Sequence, residues 1–168
     1  MAETSNTPDP ADGEAVRERL ARLVGHWHGK GVGDYPTIDR FEYQEDLRFE
    51  SEPAYPVMRY EQRTQLVNGE PSHWEFGFLR WLEDLSIEVS NVQVGGRVEV
   101  LHGSIETVGE SVVLGLESVV LGHDARLVRT RRSITVDGDR LHYQAHMHTN
   151  TLETPRMLLH LEARLERR

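Results

Sequence analysis

Histidine is the residue through which this chain can bind a metal or move a proton. Cysteine is absent, which removes thiolate ligands and a thiol nucleophile, and carboxylates are scattered along the polar faces without singling out a pair. His142, His146 and His148 fall at even spacing beside Gln144, a pattern that superficially resembles a metal site. No carboxylate accompanies them in that segment, so they read as a solvated outer face. His160 is different, because it stands alone among aliphatic residues in the run from Met157 to Leu165. Taken by itself, such a histidine is a hydrogen-bonded wall residue. Strict strand alternation places Leu159, Leu161, Ala163 and Leu165 on one face and turns His160 to the other with Glu162 and Arg164. Two arrangements bring His160 inward: a bulge that resets the parity, or a position at the open end of a barrel where alternation binds less strictly. Arg129, Arg131 and Arg132 read as a salt-bridged wall. No G-x-S-x-G elbow is present, and no glycine-rich loop is followed by Lys and Ser or Thr, so serine-nucleophile and phosphate-loop chemistries have no support.

The elements that must position these side chains are strands. Gly25, Trp27, Gly29, Gly31 and Gly33 share one parity, so a single indole stands on an otherwise bare strand face. Bare positions admit another backbone or a flat ligand, or let the strand bend at a barrel corner. Ahead of this strand, Asp12 is placed to cap a short helix carrying Val16, Leu20, Leu23 and Val24 on one stripe, with Gly25 ending it. Beyond it, β-rich segments recur at 26–33, 39–49, 57–67, 73–81, 85–92, 97–105, 111–119, 124–136, 140–149 and 157–166. Alternation is clean in several: Phe41, Tyr43, Leu47 and Phe49 oppose Glu42, Gln44, Asp46 and Arg48. Asn68-Gly69, Gly95-Gly96, Gly109-Glu110 and Asp137-Gly138 supply tight hairpin turns. Ten sequential antiparallel strands leave two long edges unless they close. The expected fold is therefore an all-β, ten-stranded antiparallel up-and-down β-barrel with a short N-terminal helix, and a two-sheet sandwich is the alternative. A barrel of this width is not filled by side chains alone, so it should enclose a ligand cavity.

Composition narrows the partners. The 28 acidic residues outnumber the 19 basic ones, giving a net charge of −9, which argues against nucleic acid. No run reaches the roughly 18 apolar residues needed to span a membrane. The first 13 residues, polar and acidic with Pro8 and Pro10, read as a disordered tail, leaving 14–168 as one domain. A cytoplasmic protein, monomer or homodimer, is expected.

Three stretches resemble the nitrobindin family, small haem-binding β-barrels related in architecture to fatty-acid-binding proteins. They are the run from Gly25 through Trp27, Gly29, Gly31 and Gly33 to Tyr35-Pro36-Thr37-Ile38, the segment Pro71 to Arg80, and the final His160-Leu161 with Ala163 and Leu165. The resemblance implies one haem b per chain, His160 as its axial iron ligand, and Thr37, Met147 and Arg126 in contact with it. Arg126 would stand in for a family lysine that reaches the haem edge, and His73 would lie near the open iron face. Taken as ordinary residues, Thr37 is a turn residue bonding its local backbone, Met147 fills core, and His73 partners Glu75. The connection from Asn150 to Arg156 is longer than the roughly 2 to 5 residues usual in a hairpin. The family is described as binding nitric oxide and isomerising peroxynitrite to nitrate. A non-catalytic nitric oxide sensor or carrier and a haem-free barrel for a small apolar ligand are the alternatives.

Overall fold

A computed structural model describes residues 10–168; the expected tail at 1–9 lies outside the described residues. Helix α1 (Pro10–Ala21) is followed by β1 (Gly25–Tyr35), β2 (Ile38–Glu52), β3 (Val57–Leu66), β4 (Pro71–Trp81) and β5 (Ile87–Gln93). The chain continues with β6 (Val98–Val108), β7 (Ser111–Gly122), β8 (Leu127–Asp137), β9 (Arg140–Thr149) and β10 (Met157–Arg167). Each strand pairs antiparallel with its sequence neighbour, and β1 also pairs with β10, so the meander closes into a barrel with no free edge. Closure decides against the sandwich.

The helix starts two residues ahead of the expected Asp12 cap. A proline at a helix start gives up only an N–H that has no intrahelical partner there, so Pro10 can open α1 and Asp12 falls in its first turn. Residues 10–13 therefore belong to the helix and not to a tail. Val16, Leu20 and Leu23 are buried, and α1 lies against β6, with Arg17 stacked on Trp81 at 5.5 Å and Arg19 bonded to Thr107 at 3.3 Å. Trp81 and Thr107 sit at the ends of β4 and β6, so the helix stoppers that end of the barrel. Trp27 is fully buried there, donates to the Leu23 carbonyl at 2.8 Å, and lies under the Arg167 guanidinium at 4.0 Å. Arg167 in turn bonds the carbonyls of Arg22 and Val24, which ties the helix exit to β10.

The bare face of β1 is occupied by its neighbours. Gly31 pairs with Tyr43 and Gly33 with Phe41, and a Cβ added at either glycine would overlap the ring of its partner, at 2.2 Å in both cases. At Gly29 the intruding atom would be the Arg164 carbonyl oxygen of β10, at 2.1 Å. Two rings and one close strand thus take the space that the sequence left open to a backbone or a flat ligand.

Candidate ligand-binding site at the barrel mouth

The end opposite α1 opens into a cavity of about 540 Å³, within the range of small-molecule and cofactor sites. His160, His73, Thr37, Arg126 and Met147, drawn from distant parts of the chain, all line it. Gly25 and Trp27 belong to the stoppered end, while Gly29 and Gly31 act through the neighbours they admit.

His160 reaches the cavity by a bulge. In the β9–β10 ladder Leu159 faces His146 and Leu161 faces Ala145, which leaves His160 as the extra residue. β1 is irregular at the adjoining point, where its pairing with β2 shifts between Gly33 and Tyr35 and skips Asp34. The freed Asp34 carbonyl lies 3.4 Å from His160 Nδ1, a long hydrogen bond if that nitrogen carries the proton. In that tautomer Nε2 keeps its lone pair. Tyr35 meets the imidazole edge-on at 5.7 Å, and its hydroxyl lies 3.0 Å from Thr149 Oγ1, which is 2.8 Å from Thr151 Oγ1. Burial pulls His160 below the usual histidine range, against the opposing effect of its hydrogen bond to the Asp34 carbonyl, and so favours the neutral ring.

At the rim, Asp124 sits between two guanidinium groups, 2.7 Å from Arg97 and 3.0 Å from Arg126. The hydrogen bonds from Arg126 and then Arg97 hold its carboxyl well below the ordinary range despite burial. Two cations against one anion leave this rim net positive on an acidic protein. Asp124 and Arg126 precede β8, which begins at Leu127 and not at 124, so the rim cation stands on a loop.

The floor of the cavity is a charged network. Arg132, expected on an outer salt-bridged wall, points inward, where it forks onto Glu75 and also bonds Glu99 at 2.6 Å. Arg129 and Arg131 do form the outer pair, both with Glu117. Tyr60 donates to Glu75 at 3.0 Å, and His73 Nε2 lies 3.3 Å from Glu75. Burial pushes the Glu75 carboxyl up, but the Arg132 charge and the bonds from His73 and Arg132 outweigh it and hold it well below the carboxylate range. Gln62 donates to Glu45 at 2.7 Å. The parity of each strand held the signal: Glu45 is in phase with Tyr43 and Leu47, Glu75 with Leu79, Glu99 with Leu101, and Arg132 with Ile134.

Two histidine expectations change. His142 does have a carboxylate partner, Glu162 at 2.7 Å, supplied by β10 across the ladder and therefore invisible along its own segment. His146 touches the cavity wall instead of lying wholly outside. Among the described residues no three His, Asp or Glu side chains converge to hold a bare metal ion. Of the three histidines that line the cavity, His160 is the one that a bulge carries in from the final strand with an unbonded Nε2, beside a cationic rim. Such a donor and rim suit a metal already held by a planar macrocycle that carries carboxylates.

Fold and site together define a closed β-barrel with a ligand cavity at its mouth, lined by histidines that include the bulged His160. The chain belongs to the THAP4-like, heme-binding beta-barrel domain family, whose profile matches residues 17–167. A peroxynitrite isomerase of Arabidopsis thaliana is 38% identical over 133 residues, covering 79% of this chain and 78% of that protein. Peroxynitrite isomerase 2 of Mycobacterium ulcerans is 32% identical over 163 residues, covering 95% and 99%. The crystal structure of Rv2717c from M. tuberculosis superposes with a TM-score of 0.83 at 30% identity, covering 91% of this chain and 97% of that one. The nitrobindin resemblance and the barrel topology agree with these matches.

Proposed function

We propose that this barrel holds one haem b at its mouth through His160 and isomerises peroxynitrite to nitrate. The observation that carries the proposal is the bulge that brings a neutral His160 to the cavity while Asp34 takes up its other nitrogen. The named activity of the relatives supports the choice of substrate.

His160 would supply the single protein ligand, with the Asp34 carbonyl selecting its tautomer and Tyr35 limiting rotation of its ring. Thr37 and Met147 would contact the cofactor, and Arg126 with Arg97 would pair with its propionates. When bound, haem would supply the iron chemistry that converts peroxynitrite to nitrate, with His160 as the protein residue that holds it. His73 engages Glu75 through Nε2, so its other nitrogen can donate to a ligand only when the ring carries both protons. The walls shield the reacting ligand from bulk water.

Stopped-flow mixing of the haem-loaded protein with peroxynitrite tests this. The expected outcome is a decay rate that rises in proportion to protein, with nitrate as the product. Nitric oxide binding without any acceleration of peroxynitrite decay would instead make the protein a sensor or carrier.

A further inference from the structure

Beneath the charged floor lies a second, smaller cavity of about 30 Å³. Its walls are the buried side chains of Leu47, Phe49, Leu79, Val89, Leu114 and Ile134. Gln62, Glu75, Arg132 and Tyr143 line both cavities, so the charged network is a partition between them. Most of the charged and polar side chains of this partition engage one another: Arg132 with Glu75 and Glu99, Tyr60 with Glu75, and the Gln62 amide nitrogen with Glu45. The surface they leave to the lower space is almost all carbon. The buried Asn91 amide, which lacks a partner, is not part of that wall.

A buried water needs about 2 to 4 polar partners, and a cavity of roughly 10–15 Å³ already has room for one. Room is therefore sufficient here and partners are not, which is the condition under which a protein cavity stays dry and takes an apolar guest. Such a guest loses no hydrogen bonds on entry and regains dispersion contacts that the lining otherwise lacks. We propose that the lower cavity is a docking site for one small apolar gas molecule of the size and polarity of dioxygen or nitric oxide. The proposal stands on the cavity alone and does not depend on haem at the mouth.

Xenon is the probe. Crystals of the wild-type protein, as purified, are pressurised with xenon, and methyl relaxation is measured in solution under dioxygen pressure. The expected results are a xenon peak enclosed by Leu47, Val89 and Leu114, and dioxygen-induced relaxation of the Val89 and Leu114 methyls at least fivefold above that of Leu23 at the stoppered end. Val89→Leu, which adds one carbon to the wall, should reduce xenon occupancy at this site at least fivefold. Ordered water in the lower cavity, xenon confined to the mouth, or uniform methyl relaxation would each overturn the proposal. Should Val89→Leu fail to fold, the wild-type map and relaxation data decide alone.

Discussion

Glu45 is completely buried, bonded by Gln62 through one oxygen while the other has no partner, and burial pushes its carboxyl up to about 7. A carboxyl raised on folding stabilises the protein below its unfolded value, and that contribution is lost as pH rises through the folded value. For Glu45 the window runs from 4.5 to about 7. Glu45→Gln keeps an acceptor for Gln62 and cannot ionise. Urea unfolding should show its stability relative to wild type improving by about 3 kcal/mol across that window; a difference that stays flat with pH contradicts the burial argument. Glu75 has the opposite sign, since Arg132 holds it down on folding, so its contribution is present at neutral pH and disappears in acid. Arg132→Met would strand Glu75 and Glu99 as uncompensated buried charges, with an expected loss of about 3–5 kcal/mol at pH 7. A loss under 1 kcal/mol would mean that water reaches the partition. These charges are legible in the sequence by parity, but alternation taken as dry inside and wet outside assigns them no place in the interior. Glu45 lies between Tyr43 and Leu47 in the same phase, so pattern and chemistry conflicted at the residues that build the floor.

The glycine strand carries the same lesson one level up. Its bare face was evident, but which neighbour would use it depends on register, and register is a property of two strands. Gly31→Ala should cost about 1–3 kcal/mol, because the added methyl overlaps the buried Tyr43 ring, which must shift to admit it. Gly115 in β7 is the control: an added Cβ there meets nothing within 4 Å, and its φ is not in the left-handed region. Gly115→Ala should be neutral or gain up to about 1 kcal/mol. Equal losses at both positions would show that the effect is generic to glycine and not a matter of ring contact. Strand ends were readable to within a few residues because turns such as Asn68-Gly69 and Asp137-Gly138 punctuate them; Gly69 and Gly138 adopt φ of 87° and 57°. The bulge at His160 has no compositional mark. Its trace was a contradiction, a candidate ligand on the wrong parity, which the extra residue resolves.

At the scale of the whole molecule, the chain separates stability from binding along the barrel axis. Helix α1, Trp27 and Arg167 close one end, the aliphatic layer and its partition fill the middle, and the loops bearing Thr37, Arg97 and Arg126 surround the mouth. Ten short-connected strands made this barrel legible from sequence, since closure is the way such a meander loses both edges. The Arg97–Asp124–Arg126 rim was only partly legible, because its members come from the loops before β6 and β8 and meet only after the sheet rolls up. The most direct test of the site is an absorption titration of the protein with ferric haem, repeated on His160→Ala with far-ultraviolet circular dichroism to monitor the fold. Wild type should saturate at one haem per chain with a sharp Soret band, whereas His160→Ala should keep its β spectrum, shift or lose that band, and bind at least tenfold more weakly. Failure of the wild type to take up haem, or an identical band and affinity in His160→Ala, would contradict the assignment of the mouth as a haem site ligated by His160.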